Sequence, residues 1–590
     1  MQLLPQTVEI IKNRLLNIVD EMELVTMRSA YSILWQEAGD LSNALMSEDF
    51  AIVAQAKRSI PFHLGTMGPP VIEAIKVIGG PAHLEPGDIL IQNDPYLANN
   101  HLNDLVLAQP VFSEGRILAY SCVKGHLPDI GGGVFSSCDF SATEIIEEGL
   151  RIPPTKIYKA GRRNDDLINI IKANIRSPEE MIGNLEAGIA GVMRGEKRFQ
   201  ELLQKYDPPT VRACISRILD NSEKMMRSKI KQLPDGIYEA EDYVDSVPTG
   251  NRRPKPLKIK CSIKIEGSRI FADFTGTAPQ VKAGINCTAA VAATGVNNAV
   301  KIMLDPGEPG NDGTYRPIQV NVPRGTLINP DFPGPVSAYM DTGTRCFEVV
   351  CRALAQASPN NLIAAGDGSS NGLYYQGFDG DRKFINLEFH GGGSGAYLGA
   401  DGFNGIRNGL GNTGNQRIER VESELPVQFE AYEIVPDTGG PGEYRGGCST
   451  RRVYRFITPT DIIVVGGRTQ TAPYGLCGGK PGAKARHMFI DDQNKETLLV
   501  SKNSPVGLKA DTRVAYIPAG GGGIGNPLNR DPDRVLEDVK DGCVSLGAAK
   551  CEYGVIISRT ETGGYLIDHA ATHIYRQAGK GYLEDCKKIL

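Results

Sequence analysis

Residues Ile91 to Gly133 read IQNDPYLANNHLNDLVLAQPVFSEGRILAYSCVKGHLPDIGGG and hold the same short pattern twice, His101-Leu102-Asn103-Asp104 and then His126-Leu127-Pro128-Asp129. Between the two copies, LVLAQPVF and RILAYSCVKG are short apolar runs rich in β-branched residues. Ser113-Glu114-Gly115-Arg116 separates them with turn composition, which predicts a hairpin or an adjacent strand pair. Each HLxD then sits at one end of its strand, and the strand ends meet. The chain has eight histidines, and four of them (His63, His83, His101, His126) fall within the first 126 residues. Imidazole and carboxylate together are the ligand set a divalent first-row metal takes when thiolates are absent. A single HxxD is common by chance, and Asp beside Asn, Pro or Gly usually closes a turn. Two such pairs flanking one hairpin favour a metal or catalytic site. Asp94 and Asp40 are further carboxylates that loops could bring to it.

Working outward, 590 residues exceed what one core supports, so roughly two to four domains are expected. Apolar content of 41%, charged content of 23% and a net charge of -5 describe an ordinary globular chain. No Lys/Arg block stands out, which argues against nucleic acid or an anionic membrane as the main partner. The start, MQLLPQTVEIIKNRLL, lacks the basic and unbroken apolar regions of a signal peptide, and no run of about 18 apolar residues follows, so a cytoplasmic protein is expected. The cysteines are scattered without any C-x-x-C, which indicates reduced, mostly buried thiols.

Upstream of the hairpin, Val8, Ile11, Leu15, Ile18, Val19, Met22 and Val25 have the spacing of an amphipathic helix. SNALMSEDFAIVAQA places a polar turn between two strand-like runs, and a helix is predicted near Val71–Val77. His63, among apolar neighbours, reads first as a hydrogen-bonded core residue that can also face the cleft. Downstream, residues 178–231 read as helical around a Pro208-Pro209 break. From Leu233-Pro234-Asp235-Gly236 the texture changes to short alternating strands. Helix-like stretches recur between 293 and 356, residues 366–450 are very rich in glycine, and strands resume to RVAYIPAG. The glycines, interleaved with Asn and aromatics, are expected in turns or as backbone lining a pocket or subunit surface. Gly520, Gly522 and Gly525 satisfy G-x-G-x-x-G, but Asn526-Pro527 follows where a helix should open, so a turn is expected rather than a nucleotide loop. Gly478-Gly479-Lys480-Pro481 is no Walker A loop, and no nucleotide-binding machinery is apparent. The fold class is therefore mixed α/β or α+β and multi-domain, with antiparallel sheets in the C-terminal half. Three units are expected: 1–235, α/β with the metal site; 236–450, mixed and glycine-rich; 451–590, β-rich.

The chain resembles the hydantoinase B/5-oxoprolinase family over nearly its whole length. The matching stretches are Gly39-Asp40-Leu41-Ser42, Ile60 to Gly65, Asn93-Asp94-Pro95-Tyr96, His101 to Asp104, Gly125 to Gly132, Asp273 to Thr277, Gly442 to Gly447 and Gly520 to Pro527. Asn103 stands where the family often has proline, and Leu127-Pro128 where it usually has His-Ala. The resemblance implies a divalent metal, zinc foremost with manganese or iron as alternatives, on Asp40, His101, Asp104 and His126. His63 and Asp129 are implied as neighbouring or proton-transfer residues. It further implies an A-type, hydantoinase A-like partner that binds ATP, hence a hetero-oligomer, and activation of a carbonyl by ATP before metal-assisted hydrolysis. The implied substrate is a cyclic amide such as a hydantoin, oxoproline or lactam. The alternatives are an acetone or acetophenone carboxylase-type subunit acting on a ketone, which the length disfavours, and a non-catalytic scaffold.

Overall fold

The computed structural model describes residues 3–248, 255–503, 505–561 and 563–577. Residues 578–590, the end of the third expected unit, lie outside the described residues. Seven strands, β1 (Leu41–Ser47), β2 (Ile52–Gln55), β3 (Ile89–Gln92), β4 (Asp104–Ser113), β5 (Arg116–His126), β6 (Thr155–Lys159) and β7 (Arg162–Arg163), form one antiparallel sheet. Their order is β2-β1-β5-β4-β3-β6-β7. The predicted hairpin, β4–β5, lies at its centre. The helices of this region are α1 (Pro5–Ser29), α2 (Pro61–Gly65), α3 (Gly68–Val77), α4 (Asp165–Asn174), α5 (Pro178–Lys205) and α6 (Pro208–Ile230).

LVLAQPV does not alternate with water because both faces of the sheet are covered. Leu105, Leu107 and Val111 join the large core with α1 and α5, whereas Val106 and Ala108 pack with Val71 and Ala74 of α3. In α1 the expected apolar stripe is buried from Val8 to Met22, while Val25 is half-buried and Thr26 turns inward to Asn43 Oδ1 at 3.3 Å. Pro5 and Pro208 each open a helix, where the N–H they lack has no intrahelical partner.

At residue 236 the predicted strands begin: β8 (Gly236–Val244), β9 (Leu257–Glu266) and β10 (Arg269–Asp273) form a meander, joined in parallel by β11 (Ile318–Asn321). Helices α7 (Ala289–Leu304), α8 (Asp312–Tyr315) and α9 (Met340–Leu354) follow the helical stretches in the sequence. The change of texture marks a new sheet but no break in the core, because Ile259, Ile263, Val296 and Val349 belong to the same apolar cluster as Leu107. Next come β12 (Gly372–Asp379), β13 (Arg382–Phe389), α10 (Ile418–Glu424), β14 (Val427–Ile434), β15 (Thr450–Phe456), β16 (Thr460–Val465), β17 (Arg486–Ile490), β18 (Glu496–Leu499), β19 (Val506–Leu508) and β20 (Thr512–Ile517). They form two antiparallel sheets, β13-β12-β16-β19 and β14-β15-β20-β17-β18, which close on one cluster containing Tyr375, Ile462, Tyr454 and Tyr516. The fold is thus mixed α+β with several antiparallel sheets. Beyond Gly525 the chain departs from the β-rich expectation. Helices α11 (Pro532–Lys540), α12 (Leu546–Cys551) and α13 (His569–Gln577) surround a short hairpin, β21 (Ile557–Arg559) with β22 (Tyr565–Ile567). Their apolar residues Val535, Val539, Val544 and Ala548 pack into a small cluster of their own.

The glycine-rich segments pack backbone on backbone. Gly393 N–H donates to Ala519 O, Gly440 N–H to Gly521 O and Gly521 N–H to Gly447 O, at 3.0, 2.7 and 2.9 Å. A Cβ at Gly521 would lie 1.8 Å from Ser394 O, so no larger residue fits. The G-x-G-x-x-G run is part of this packing, and it leads into a short turn at Pro527–Asn529 rather than a helix.

A second close approach bears directly on the hairpin. A Cβ at Gly125 would lie 2.1 Å from the Trp35 ring, whose Nε1–H donates to His126 O at 2.7 Å. Trp35 is the chain's only tryptophan and is 1% exposed, so its fluorescence follows unfolding of this core. We expect Gly125→Ala to lower stability by about 1–3 kcal/mol in urea unfolding followed by tryptophan emission, because the added methyl overpacks the ring. Unchanged stability would show that the indole is free to shift.

Candidate metal centre

Asp104 opens β4 and His126 closes β5, and the register places the two directly opposite each other. His101 sits one turn before Asp104, whose N–H donates to His101 O at 3.3 Å. Asp40 immediately precedes β1, and its carbonyl accepts from His126 N–H at 3.1 Å. His63 comes from α2 and faces the same point. All five side chains are buried, Asp104 completely.

Three atoms converge. His101 Nε2 lies 2.9 Å from Asp104 Oδ1 and 3.0 Å from His126 Nδ1, and His126 Nδ1 lies 3.1 Å from Asp104 Oδ1. Four ligands about 2.0 Å from a tetrahedral cation would stand roughly 3.3 Å apart, so the triangle is close to the size a small divalent ion requires. Asp104 Oδ2 and His126 Nε2 are buried without a hydrogen-bond partner. The outer contacts set the tautomers. His101 Nδ1 faces Ser337 O at 2.7 Å and must donate to it, which leaves Nε2 bare toward the triangle. Ser42 Oγ lies 3.3 Å from His63 Nδ1, and His63 Nε2 lies 3.5 Å from Asp104 Oδ2 and 3.9 Å from Asp40 Oδ1.

Electrostatics follow from this packing. Burial would raise the Asp104 carboxyl, but the imidazoles of His101, His63 and His126 packed around it hold it well below the usual carboxylate range. Burial pulls His101 down, toward the neutral imidazole a metal needs. At His126 burial is outweighed by the hydrogen bond to Asp104 and the charge of Asp40, so its pKa rises. Behind Ser337, whose N–H donates to Glu148 Oε1 at 2.7 Å, burial pushes the Glu148 carboxyl well up.

Of the expected residues, Asp40, His63, His101, Asp104 and His126 are brought together, with Asp40 one step outside the tight triangle. Asp94 accepts from Tyr96 N–H at 3.0 Å and closes its own turn. Asp129 is committed elsewhere: it accepts from Gly131 and Arg176 N–H groups and pairs with Arg176 Nη1 at 2.8 Å. Ser337, Glu148, Tyr339, Tyr374, Arg407 and Thr413 complete the surroundings from distant parts of the chain, and no local pattern marked them. A cavity of about 30 Å³ is lined by Asp40, His63, His101 and His126 on one side and by Tyr374 and Arg407 on the other. It shares Arg407, Gly411 and Thr413 with a larger cavity of about 510 Å³, whose walls include Phe347, Tyr397 and Tyr474. Asp367, also in that wall, is pushed up to about 8 by burial. Among the described residues no helix is long and apolar enough to cross a membrane.

A buried His/Asp cluster at the rim of a central antiparallel sheet, opening beside a substrate-sized cavity, has the make-up of an enzyme centre. The chain belongs to the Hydantoinase B/oxoprolinase family, whose model matches residues 5–527. It is 31% identical to the beta chain of caprolactamase from Pseudomonas jessenii, over 97% of this chain and 99% of that protein. The crystal structure of ATP-dependent caprolactamase from Pseudomonas jessenii superposes with a TM-score of 0.89 at 30% identity, covering 98% of this chain and all of that one. A putative D-/L-hydantoinase of a Pseudomonas species has a B-type component 31% identical to this chain, over 97% of this chain and 98% of that protein. Acetone carboxylase in its nucleotide-free form shares the fold, with a TM-score of 0.88 at 21% identity over 97% of this chain and 82% of that one.

The contacts of Asp129 generate a test. Asp129→Asn removes a buried charge facing a partly exposed guanidinium, and we expect a loss of roughly 1–3 kcal/mol with divalent-metal content unchanged. Metal lost from a folded Asp129→Asn chain would return Asp129 to the site.

Proposed function

We propose that this chain is the metal-holding B-type subunit of an ATP-dependent cyclic amide hydrolase, working with an ATP-binding A-type subunit in a hetero-oligomer. The observation that carries the reading is the buried triangle of His101, Asp104 and His126 beside a cavity of about 510 Å³, within the range typical of small-molecule sites. Family membership and the hydantoinase and caprolactamase relatives support the substrate class. The absence of a phosphate loop in the sequence supports the division of labour with the partner.

His101 Nε2, His126 Nδ1 and Asp104 hold the ion, and Asp40 completes a set of two imidazoles and two carboxylates. A bound divalent ion, zinc first among the candidates, polarises an oxygen and lowers the pKa of a water molecule. Ser337 and Glu148 keep the His101 ring in orientation. His63, hydrogen-bonded to Ser42 and facing two carboxylates, is placed to move a proton at Nε2.

The chemistry balances as follows. ATP transfers its γ-phosphoryl group to the amide oxygen, giving an imidate phosphate and ADP. Water adds to the imidate carbon and gives up a proton to the carboxylate and imidazole groups around it. The C–N bond then breaks, the nitrogen takes a proton, and an acyl phosphate remains. A second water converts the acyl phosphate to carboxylate and phosphate. The sum consumes one ATP and two waters and opens a lactam or oxoproline ring to an amino acid, or a hydantoin ring to an N-carbamoyl amino acid. An unactivated amide is a poor electrophile, and phosphorylation of its oxygen makes both additions accessible.

The purified chain should contain about one divalent ion, and His101→Ala and His126→Ala should lose it with circular dichroism unchanged. Reconstituted with the A-type subunit, the wild type should couple ATP turnover to ring opening of a hydantoin, oxoproline or lactam without bicarbonate, and His101→Ala should fall by at least 100-fold. Turnover only with a ketone and bicarbonate would instead identify a carboxylase, and full activity of a metal-free His101→Ala complex would leave a scaffold.

A further inference from the structure

Opposite the metal ligands the cavity has a second, chemically different wall. Arg407 is half-buried, and its Nη1 donates to Asn371 O at 3.0 Å and to His390 O at 3.2 Å. The guanidinium lies over the Phe389 ring, 4.7 Å from its centroid. Among the described residues no carboxylate lies within ion-pair distance of it, although the charges of Asp367 and Asp40 reach it, and its Nε–H is shut off from solvent without any acceptor. Thr413 Oγ1 and Tyr374 Oη are likewise buried with no partner, and both residues line the same small cavity. An unpaired cation and two orphan hydroxyls at one place are costly to leave unsatisfied, each by an amount comparable to a lost hydrogen bond. All three offer donors, whereas Asp40, His63, His101 and His126 bring one carboxylate and the ligand nitrogens to the same cavity. Arg407 and Thr413 also belong to the large cavity, so the donors stand where the two spaces meet. The loop that presents them is braced locally: Asn408 Oδ1 accepts from Leu410 and Gly411 N–H at 2.9 and 3.0 Å, and its Nδ2 donates to Ser369 O at 2.8 Å.

We infer that Arg407, Thr413 and Tyr374 form a receptor for the phosphoryl oxygens carried on the substrate's reacting carbon. The inference rests on the proposed ATP-dependent hydrolysis. In that sequence the imidate phosphate, its hydrated adduct and the acyl phosphate all keep the phosphoryl group on the same oxygen, so a single fixed anion receptor serves every step. Arginine suits the role because its donors stay charged and hold a planar geometry toward phosphate. Preorganised donors of this kind cost no reorganisation when charge develops. The arrangement also separates functions: the carboxylate wall manages the cation and protons, and the donor wall holds the anionic leaving group.

Inorganic phosphate, the final product, is the direct probe. Titration calorimetry on the full-length chain, metal-loaded and metal-stripped, should show phosphate binding in both states. Arg407→Met should weaken it at least tenfold, and Thr413→Val and Tyr374→Phe, which keep side-chain shape, roughly three- to tenfold each, with metal content and circular dichroism as in the wild type. In the reconstituted complex, Arg407→Met should lower kcat and weaken product inhibition by phosphate together. Phosphate binding indifferent to all three substitutions, or absent from the folded wild type at millimolar phosphate, overturns the receptor. A chain that binds phosphate through Arg407 but takes up no metal overturns the metal reading alone, so the two failures are distinguishable.

Discussion

Everything at the candidate site depends on one cross-strand pair, Asp104 opposite His126. Side chains alternate along a strand, so a slip of one residue would turn His126 to the opposite face and dismantle the triangle. Two features hold the register. Glu114 and Gly115 both take positive φ, at 50° and 75°, the signature of a two-residue hairpin turn whose twist suits the strands it joins. Beyond that turn, alternate residues enter two different apolar cores, Leu105 and Leu107 on one side and Val106 and Ala108 on the other, so a one-residue slip would exchange both sets. The turn and the packing together convert an ordinary hairpin into a positioning device.

The site is also where the usual rule of polar satisfaction fails in concert. Single orphan atoms occur elsewhere among the described residues, as at Arg345 Nε, Arg452 Nε and Arg468 Nε, but those guanidiniums also have carboxylate partners. Around the candidate site, Asp104 Oδ2, His126 Nε2, Tyr374 Oη, Arg407 Nε and Thr413 Oγ1 all lack hydrogen-bond partners, with His63 Nε2 3.5 Å from Asp104 Oδ2. Buried polar groups without protein partners are costly, and here five of them gather at one place.

Half of this was legible in the sequence and half was not, for a physical reason. The pairs His101/Asp104 and His126/Asp129 stand at the ends of neighbouring strands, so local turn and strand chemistry brought the first three residues within reach of prediction. Asp129 followed the same pattern but lies beyond the strand end, where Arg176 and two backbone N–H groups take its carboxylate. Asp40 and His63 lie on β1's leading edge and on α2, and only the family resemblance gave Asp40 its place. Arg407, Thr413 and Tyr374 come from far along the chain, and long-range tertiary contact leaves no local periodicity to read. The helices after Gly525 were missed because they are short and their apolar spacing is brief.

The glycine-rich segments explain how such a distant wall can be precise. A strand or helix carrying Arg407 would need a sheet edge or helix face of its own beside the metal ligands. Instead the chain around Arg407 runs as extended and turning backbone, pinned by carbonyls and amides of other glycine segments: Gly393 N–H to Ala519 O, Gly402 N–H to Arg445 O, Ile406 N–H to Gly392 O. Because glycine has no Cβ, these backbones approach more closely than side chains would permit, and the contact is made by directional hydrogen bonds instead of by deformable apolar groups. Loop irregularity therefore carries no looseness here. The two sides of the site are tied to each other as well: Phe62 N–H donates to Leu410 O and Gly414 N–H to Ala38 O, and Tyr374, on β12, shares an apolar cluster with Leu105 of the hairpin.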